Sequence, residues 1–293
     1  MDEARPSRTA LRVAMRRAAH QLHDEHPLVF EDPFAVRILP PEIRLELQRT
    51  PAASRKPFSA AMRAFMVCRA RFAEDVLAQG FREQGVRQAL ILGAGFDTFA
   101  LRNPYPDLRV FEVDHPATQS WKRELLAAAN LVVPEALSFV PVDFERQSLR
   151  QQLLHAGFDF SVPTATAWLG VVPYLTAEAF AATARVLGRL PAGSSLVFDY
   201  SLPREALPPL EQWMLDSLSA RVARAGEPFQ LFFAPDSLAE ELVRYNLSVL
   251  EDLNFAALNA RYLANRNDGL HLRGRAGRLC HAQVETTRET MNR

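Results

Sequence analysis

The strongest constraint on the fold of this chain is a change of period near residue 86. From Val86 onward, short apolar runs of strand length alternate with segments of helical spacing. Strands are expected over 88–92, 109–113, 137–142, 166–169, 195–200, 247–253 and 278–284, and helices over 119–130, 149–156, 177–190 and 236–245. Seven buried runs with interleaved helices require an α/β sheet covered on both faces. A further helix is expected over 207–225, with Trp213, Met214 and Leu218 on one side. Residues 1–85 lack the alternation and read as helices and loops. The chain therefore divides into 1–85 and 86–293, with a helical insertion at about 203–230.

In the first segment, a helix from Ser7 places Leu11, Ala14, Met15, Ala18, Ala19 and Leu22 on one face. Arg8, Arg12, Arg16 and Arg17 mostly occupy the other. Asp32-Pro33-Phe34-Ala35 has the form of an N-cap followed by proline at the first helical position. His20, His23 and His26 recur at three-residue spacing beside Pro27, and one helix cannot aim all three at one ion. Solvated or locally hydrogen-bonded histidines are expected there, and no metal. A second helix, over 59–78, carries the stripe Met62, Phe65, Met66, Phe72, Ala73, Val76 and Leu77. Arg69 falls inside this stripe; Arg63 and Arg71 fall off it. A buried guanidinium requires an anionic partner, which is either a structural Asp or Glu or the carboxylate of a bound ligand.

Composition excludes partners more than it names them. Thirty-four basic and thirty-four acidic side chains leave no net charge, which removes the simplest argument for binding nucleic acid or an anionic membrane. No apolar stretch reaches about eighteen residues, and no apolar run follows Met1-Asp2-Glu3-Ala4-Arg5-Pro6, which argues against a signal peptide. Cys68 and Cys280 are the only cysteines, too few for a disulfide framework or a multi-cysteine zinc site. A cytoplasmic protein is the default expectation.

The sharpest motif is Leu92-Gly93-Ala94-Gly95-Phe96-Asp97-Thr98, a buried strand running into a glycine turn. In open α/β sheets ligands bind at such a strand end, and glycine lets them approach the backbone. Asp114 ends the second strand twenty-one residues after Gly93, where a carboxylate can accept both ribose hydroxyls. Asp143 ends the third, placed to accept from an exocyclic adenine amine, with Phe144 available to pack on the ring. Each acid alone is more often a turn or cap residue; together they describe a nucleoside site. A dinucleotide would need a third glycine where the helix meets the pyrophosphate. Thr98 stands there, preceded by Asp97, which would repel a pyrophosphate and attract the ammonium of S-adenosylmethionine. Arg69 would meet the carboxylate of the same methionine moiety.

Arg69-Ala70-Arg71-Phe72-Ala73-Glu74-Asp75, the glycine loop with Arg102, and Glu112-Val113-Asp114-His115-Pro116 with Lys122 resemble the leucine carboxyl methyltransferase-like family. The resemblance is closest to its bacterial branch of S-adenosyl-L-methionine-dependent methyltransferases and runs from Thr9-Ala10-Leu11 to about Tyr200, more loosely beyond. It implies a class I (Rossmann-like) methyltransferase sheet of seven strands with the last inserted antiparallel, and a helical cap formed by residues 1–85. It also implies that Arg69 binds the methionine carboxylate, that Gly93 and Gly95 line the cofactor, that Asp114 holds the ribose, and that Asp143 and Phe144 surround the adenine. Tyr174, matching the family tyrosine near the methyl-transfer site, is the candidate to orient the acceptor; as a residue it reads equally well as core. One departure is Leu169, which stands where the family often has glutamate near the cofactor, leaving Asp97 or backbone carbonyls to serve the cofactor amine.

No general base is fixed by motif. His115, His271 and His281 read as structural or exposed, and Arg204 as a solvated loop residue. The expected acceptor is a small molecule or peptide methylated on a carboxylate or hydroxyl. Neither a Gly-x-Ser-x-Gly elbow nor a Gly-Lys-Ser/Thr loop is present. The alternatives are an NAD-dependent oxidoreductase and a protein that binds S-adenosylmethionine without turnover.

Overall fold

The structure, a computed structural model, describes residues 7–50, 56–144, 146–224, 226 and 228–285. The expected leaderless start, 1–6, and the end of the expected 207–225 helix at Ala225 lie outside the described residues.

Strands β1 (Gln88–Leu92), β2 (Arg109–Asp114), β3 (Leu137–Pro141), β4 (Thr164–Trp168), β5 (Ser195–Ser201), β6 (Leu247–Leu253) and β7 (Gly277–Val284) form one sheet in the order β3-β2-β1-β4-β5-β7-β6. β3, β2, β1, β4 and β5 are mutually parallel, and β7 runs antiparallel to both β5 and β6. This is the seven-stranded arrangement with the last strand inserted antiparallel. The parallel strands are apolar on both faces because helices cover both. Six of the seven expected strands agree with the structure to within one residue at either end. β4 begins two residues before its expected start, at Thr164, whose backbone N–H meets Ser194 Oγ at 3.1 Å. Leu169 therefore lies beyond the strand, in the loop facing the ligand end.

The helices are α1 (Arg8–His23), α2 (Pro41–Arg49), α3 (Pro57–Glu83), α4 (Pro116–Ala128), α5 (Leu149–His155), α6 (Ala177–Leu187), α7 (Pro209–Arg224), α8 (Pro235–Val243) and α9 (Phe255–Tyr262). On one face, Leu90, Phe111, Val140 and Phe198 pack with Leu153 of α5, Phe180 of α6 and Leu238 of α8. On the other, Ala64, Val67, Phe72 and Val76 of α3 pack on Val197 and Leu279, with Leu258 of α9. Helix α1 joins Phe96 and Leu126 of α4 in a further cluster. Two helices were not anticipated: α2 fully buries no residue and packs only Ile43 and Leu47, both half-buried, on the α1 cluster, and α9 is short, held by Asn254 accepting from the Ala257 N–H at 2.9 Å.

Three local expectations are corrected. Asp32 does accept the Phe34 N–H at 3.2 Å, but the chain then passes through a run of turns over 33–38 and forms no helix there. Leu39-Pro40-Pro41 closes off the segment too soon for one. Arg17, assigned to the polar face of α1, is buried, because its position between Ala14 and Ala18 turns it inward. Arg63, placed off the stripe of α3, is also buried: it clamps Asp24 by Nε and Nη2, each at 2.7 Å. His20 is buried on the same Asp24 at 2.6 Å, so this histidine is locally hydrogen-bonded rather than solvated. Burial alone would raise the Asp24 carboxyl, but His20 and Arg63 hold it below the usual carboxylate range. Arg204 is exposed on Asp216 at 2.9 Å, and His281 is buried with its pKa lowered by burial. Among the described residues, no helix is long and apolar enough to cross a membrane.

Candidate active site

A cavity of about 460 Å³ opens where the parallel strands end, a volume within the roughly 300–1,000 Å³ typical of small-molecule sites. All nine residues singled out from the sequence line it: Arg69, Gly93, Gly95, Asp97, Asp114, Asp143, Phe144, Leu169 and Tyr174. Residues from α1, α3 and the segment after α7 complete the wall.

The glycine loop takes its shape from position-specific constraints. Gly93 has φ +64°, and a Cβ there would lie 2.3 Å from Val171 Cγ2. Its N–H and that of Ala94 both donate to Val113 O, at 2.8 and 3.1 Å, which draws the loop toward the end of β2. There, Asp114 Oδ2 accepts the Gly95 N–H at 2.5 Å and Oδ1 accepts the His115 N–H at 2.6 Å. A carboxylate offers about four lone-pair sites, so Asp114 has capacity to accept from further hydrogen-bond donors. Burial raises its pKa, against the two N–H donors. Behind it, Lys122 pairs with Glu112 at 2.5 Å with both side chains buried; burial pushes the Glu112 carboxyl up to about 7.

Arg69 has a structural partner as well as a place on the cavity wall. Its Nη1 meets Asp199 Oδ2 at 2.8 Å, and Asp199 Oδ1 accepts the Gly170 N–H at 2.5 Å. Gly170, at φ +72°, would bring a Cβ to 2.7 Å from Arg69 Nη2. One buried carboxylate at the end of β5 thus fixes both the guanidinium and the loop carrying Leu169 and Val171. The two readings of Arg69 left open by the sequence are not exclusive: the ion pair exists, and the same guanidinium borders the cavity.

Asp97 is less available than expected. Its Oδ2 takes Arg17 Nη1 at 2.9 Å and its Oδ1 accepts the Phe99 N–H at 2.7 Å. Burial would raise its carboxyl, but Arg17, Lys122 and Arg102 hold it below the ordinary value. Arg17 also reaches Asp32 at 2.5 Å and Thr98 Oγ1 at 2.9 Å, and Thr98 donates to Asp32 at 2.7 Å. Arg102 secures Glu74, another lining residue, at 2.7 Å. Thr98, at the third glycine position of a dinucleotide loop, is therefore buried in an ion-pair network. Only a four-residue 3₁₀ turn, Phe99–Arg102, follows it, so no long helix presents its N-terminus to a pyrophosphate.

Asp143 and Phe144 sit beyond β3. The Asp143 N–H donates to Gln147 Oε1 at 2.9 Å, which holds the turn. Tyr174 ends a 3₁₀ turn, Val172–Tyr174, and packs on Phe229 with ring centroids 5.1 Å apart. Gln230 Nε2 donates to Tyr174 O at 2.7 Å and ties the segment after α7 to this turn. Leu169 packs with the α3 side of the core and offers no charge. Gly170, Val171 and Arg17 line the cavity, and Asp199 fixes Arg69 and Gly170 from behind it; the sequence reading missed all four. Asp199 gave a signal, an acid at the end of a buried strand like Asp114; Arg17 gave another, an arginine between two core alanines.

Known proteins match this arrangement in sequence and in fold. The profile of the leucine carboxyl methyltransferase family matches residues 10–188. The chain belongs to that family. By that membership it is an S-adenosylmethionine-dependent methyltransferase. It is 32% identical over 293 residues to a Bacillus subtilis (strain 168) protein named "Putative S-adenosyl-L-methionine-dependent methyltransferase YktD", covering 92% of this chain and 95% of that one. A Saccharopolyspora erythraea protein with the same name, less its last word, is 34% identical over 206 residues, covering 68% of this chain and 69% of the other. In fold, it is similar to a DUF574-family protein from Streptomyces avermitilis, with TM-score 0.57 at 20% identity over 93% of this chain and 97% of that one.

The residues around the cavity fit the cofactor of such a methyltransferase. The glycine loop is closed to a Cβ by Val171, and Asp114 has acceptor capacity to spare at the right strand end. In Gly93→Ala, the left-handed conformation costs about 1–2 kcal/mol and the new methyl group meets Val171. Calorimetry should show S-adenosylmethionine binding weakened at least about tenfold by the same reasoning. Adding Val171→Gly should restore part of it. Wild-type affinity in the single variant would mean that the loop tolerates a different backbone.

Proposed function

We propose that this methyltransferase esterifies a carboxylate. The supporting observation is Arg16, near enough to Tyr174 to feel its charge and, with Arg12 and Arg221, without an ion-pair partner among the described residues. The pKa of Arg16 is lowered by burial first and then by the positive charges of Arg12, Arg69 and Arg221, with Tyr174 opposing. Its Nε is buried without a hydrogen-bond partner among the described residues. Among the described residues, no carboxylate lies within ion-pair distance of Arg12, Arg16 or Arg221. Crowded cations of this kind favour an anionic guest. The family profile, named for carboxyl methylation, points the same way.

In this reading Asp114 accepts the ribose hydroxyls, Asp143 the adenine amine, and Phe144 covers the ring. Gly93 and Gly95 let the backbone approach, while Arg69, held on Asp199, keeps its remaining donors for the methionine carboxylate. Asp97 is committed to Arg17, so backbone carbonyls near Leu169 serve the amine. When bound, S-adenosylmethionine supplies an electrophilic methyl group on a sulfonium. The arginines draw the acceptor carboxylate in, and Tyr174 orients its attacking oxygen. An ionised carboxylate carries no proton to remove, so the chain's lack of a motif-fixed base is no obstacle. Positioning and exclusion of water are then the main contributions of the protein. Segment 1–85 acts as the cap and the 203–230 insertion as the second wall of the acceptor side, a division supported by Ala10 and Arg17, and by Pro228 and Gln230, at the cavity.

Transfer of a labelled methyl group from S-adenosylmethionine to a panel of carboxylic acids and matching alcohols tests this. Carboxylate methylation makes the product label base-labile, released as methanol; base-stable label means an ether and overturns the reading. Arg16→Ala should raise KM for the acid about tenfold to a hundredfold, the scale of a lost charged hydrogen bond, with cofactor affinity unchanged.

A further inference from the structure

His115 follows the carboxylate that ends β2 and stands where α4 begins. Its Nδ1 accepts the Ala117 N–H at 3.3 Å, so the imidazole caps the helix where a serine or aspartate more often would. A ring nitrogen that accepts carries no proton, which leaves the proton of the neutral ring on Nε2. The bond to the helix thus fixes the tautomer. Among the described residues Nε2 has no partner, and this half-buried residue borders the cavity.

Other donors at this end of the site are spent. Pro116 has no N–H and the Ala117 N–H goes to the ring, so the first two positions of α4 offer none to a ligand. The backbone N–H of His115 is taken by Asp114 Oδ1 at 2.6 Å. Asp114 and Asp143 are carboxylates, which when ionised can only accept. An adenosine between them satisfies both acids with its hydroxyls and its amine, but its ring nitrogens then need a donor. Of these, N3 lies on the sugar edge of the purine, next to the ribose assigned to Asp114.

We propose that His115 is a cofactor-binding residue whose Nε2–H donates to N3 of the adenine. The proposal rests on the placement of the ribose at Asp114 and adds the group that reads the base from its sugar edge. The two nitrogens of one ring have separate duties. Nδ1 holds the helix, and by accepting there it keeps Nε2 protonated and aimed away from the Ala117 N–H.

Two substitutions in the full chain separate those duties. His115→Asn puts an oxygen at the position of Nδ1 and nothing at that of Nε2, so the cap stays and the donor goes. His115→Gln does the reverse, because its amide nitrogen reaches the place of Nε2. Calorimetry with S-adenosylhomocysteine and its 3-deaza analogue, in which a C–H replaces N3, reads the contact. The wild type should bind the analogue about tenfold more weakly, the scale of one unmet hydrogen bond. His115→Asn should bind S-adenosylhomocysteine about tenfold more weakly, treat the two compounds alike, and melt with the wild type. His115→Gln should keep the discrimination and melt on the order of 2 °C lower for the lost cap. Nitrogen-15 spectra of the neutral ring should place the His115 proton on Nε2. A proton on Nδ1 overturns the proposal, as does wild-type affinity in His115→Asn. Equal binding of both compounds by the wild type, beside strong discrimination against a 2′-deoxy analogue, removes His115 and leaves the ribose at Asp114. Failure of S-adenosylhomocysteine itself to bind removes the cofactor reading and this inference together.

Discussion

Asp199→Ala is expected to lower the free energy of unfolding by about 3–5 kcal/mol, the cost of stripping one partner from a buried ion pair. In a domain of this size that is a fall in melting temperature on the order of 10 °C. Two losses combine. Arg69 keeps its charge in a buried position without its counter-ion at 2.8 Å, and the Gly170 N–H loses its acceptor at 2.5 Å. Asp199→Asn should cost less, because an amide oxygen can still accept from Gly170 while the charge pairing is gone. Cofactor affinity should fall in both, since the loop carrying Leu169 and Val171 is held by the same carboxylate. Urea unfolding and calorimetry read the two effects separately. An Asp199→Ala chain with wild-type stability would show that water or backbone rearrangement compensates Arg69, and that the pair does not organise this end of the sheet.

The second large effect is expected at Asp114. Two charge-assisted hydrogen bonds to a ribose diol are each worth about 1.5–3 kcal/mol. Asp114→Ala should therefore weaken S-adenosylhomocysteine by about 3 kcal/mol or more, roughly a hundredfold or greater. The side chain also anchors the Gly95 N–H at 2.5 Å, so a local structural contribution must be separated from the ligand contact. An analogue lacking the 2′-hydroxyl does this. The wild type should discriminate against it strongly, whereas Asp114→Ala should bind both compounds about equally. Equal discrimination by the two proteins would place the ribose elsewhere and leave Asp114 as a loop anchor.

The comparison of Asp114 with Asp97 shows how far a sequence can be read at this site. Both are acids in or beside a glycine loop, and both line the cavity. Asp114 stands at a strand terminus, where the direction of the chain fixes the direction of the side chain, and its place followed from spacing. Asp97 lies in the turn, where its orientation depends on what approaches from α1. Arg17 approaches and takes one oxygen, so the expected partner of the cofactor amine is committed to an internal network. Arg69 lies between the two. Its inward direction was legible in the stripe of α3, while the identity of its partner, 130 residues away, was not. For Arg63 and His20, whose meeting on Asp24 joins two helices, neither the burial nor the partner was legible.

Periodicity and strand-end chemistry by themselves determined that this chain forms an α/β sheet and that its ligand end carries Gly93, Gly95, Asp114 and Asp143, the pattern that led to the expectation of a nucleoside there. These are local properties: a side chain's direction in a regular element follows from its position in that element, and a glycine turn follows from its φ angles. Only the tertiary structure decided which charges are free. Neutralisation is a matter of distance between segments remote in sequence, and it separates Arg17, Arg63 and Arg69, all paired, from Arg16, which has no ion-pair partner among the described residues. Equal numbers of acids and bases conceal that difference, because the net charge is a sum and does not say where charges cancel.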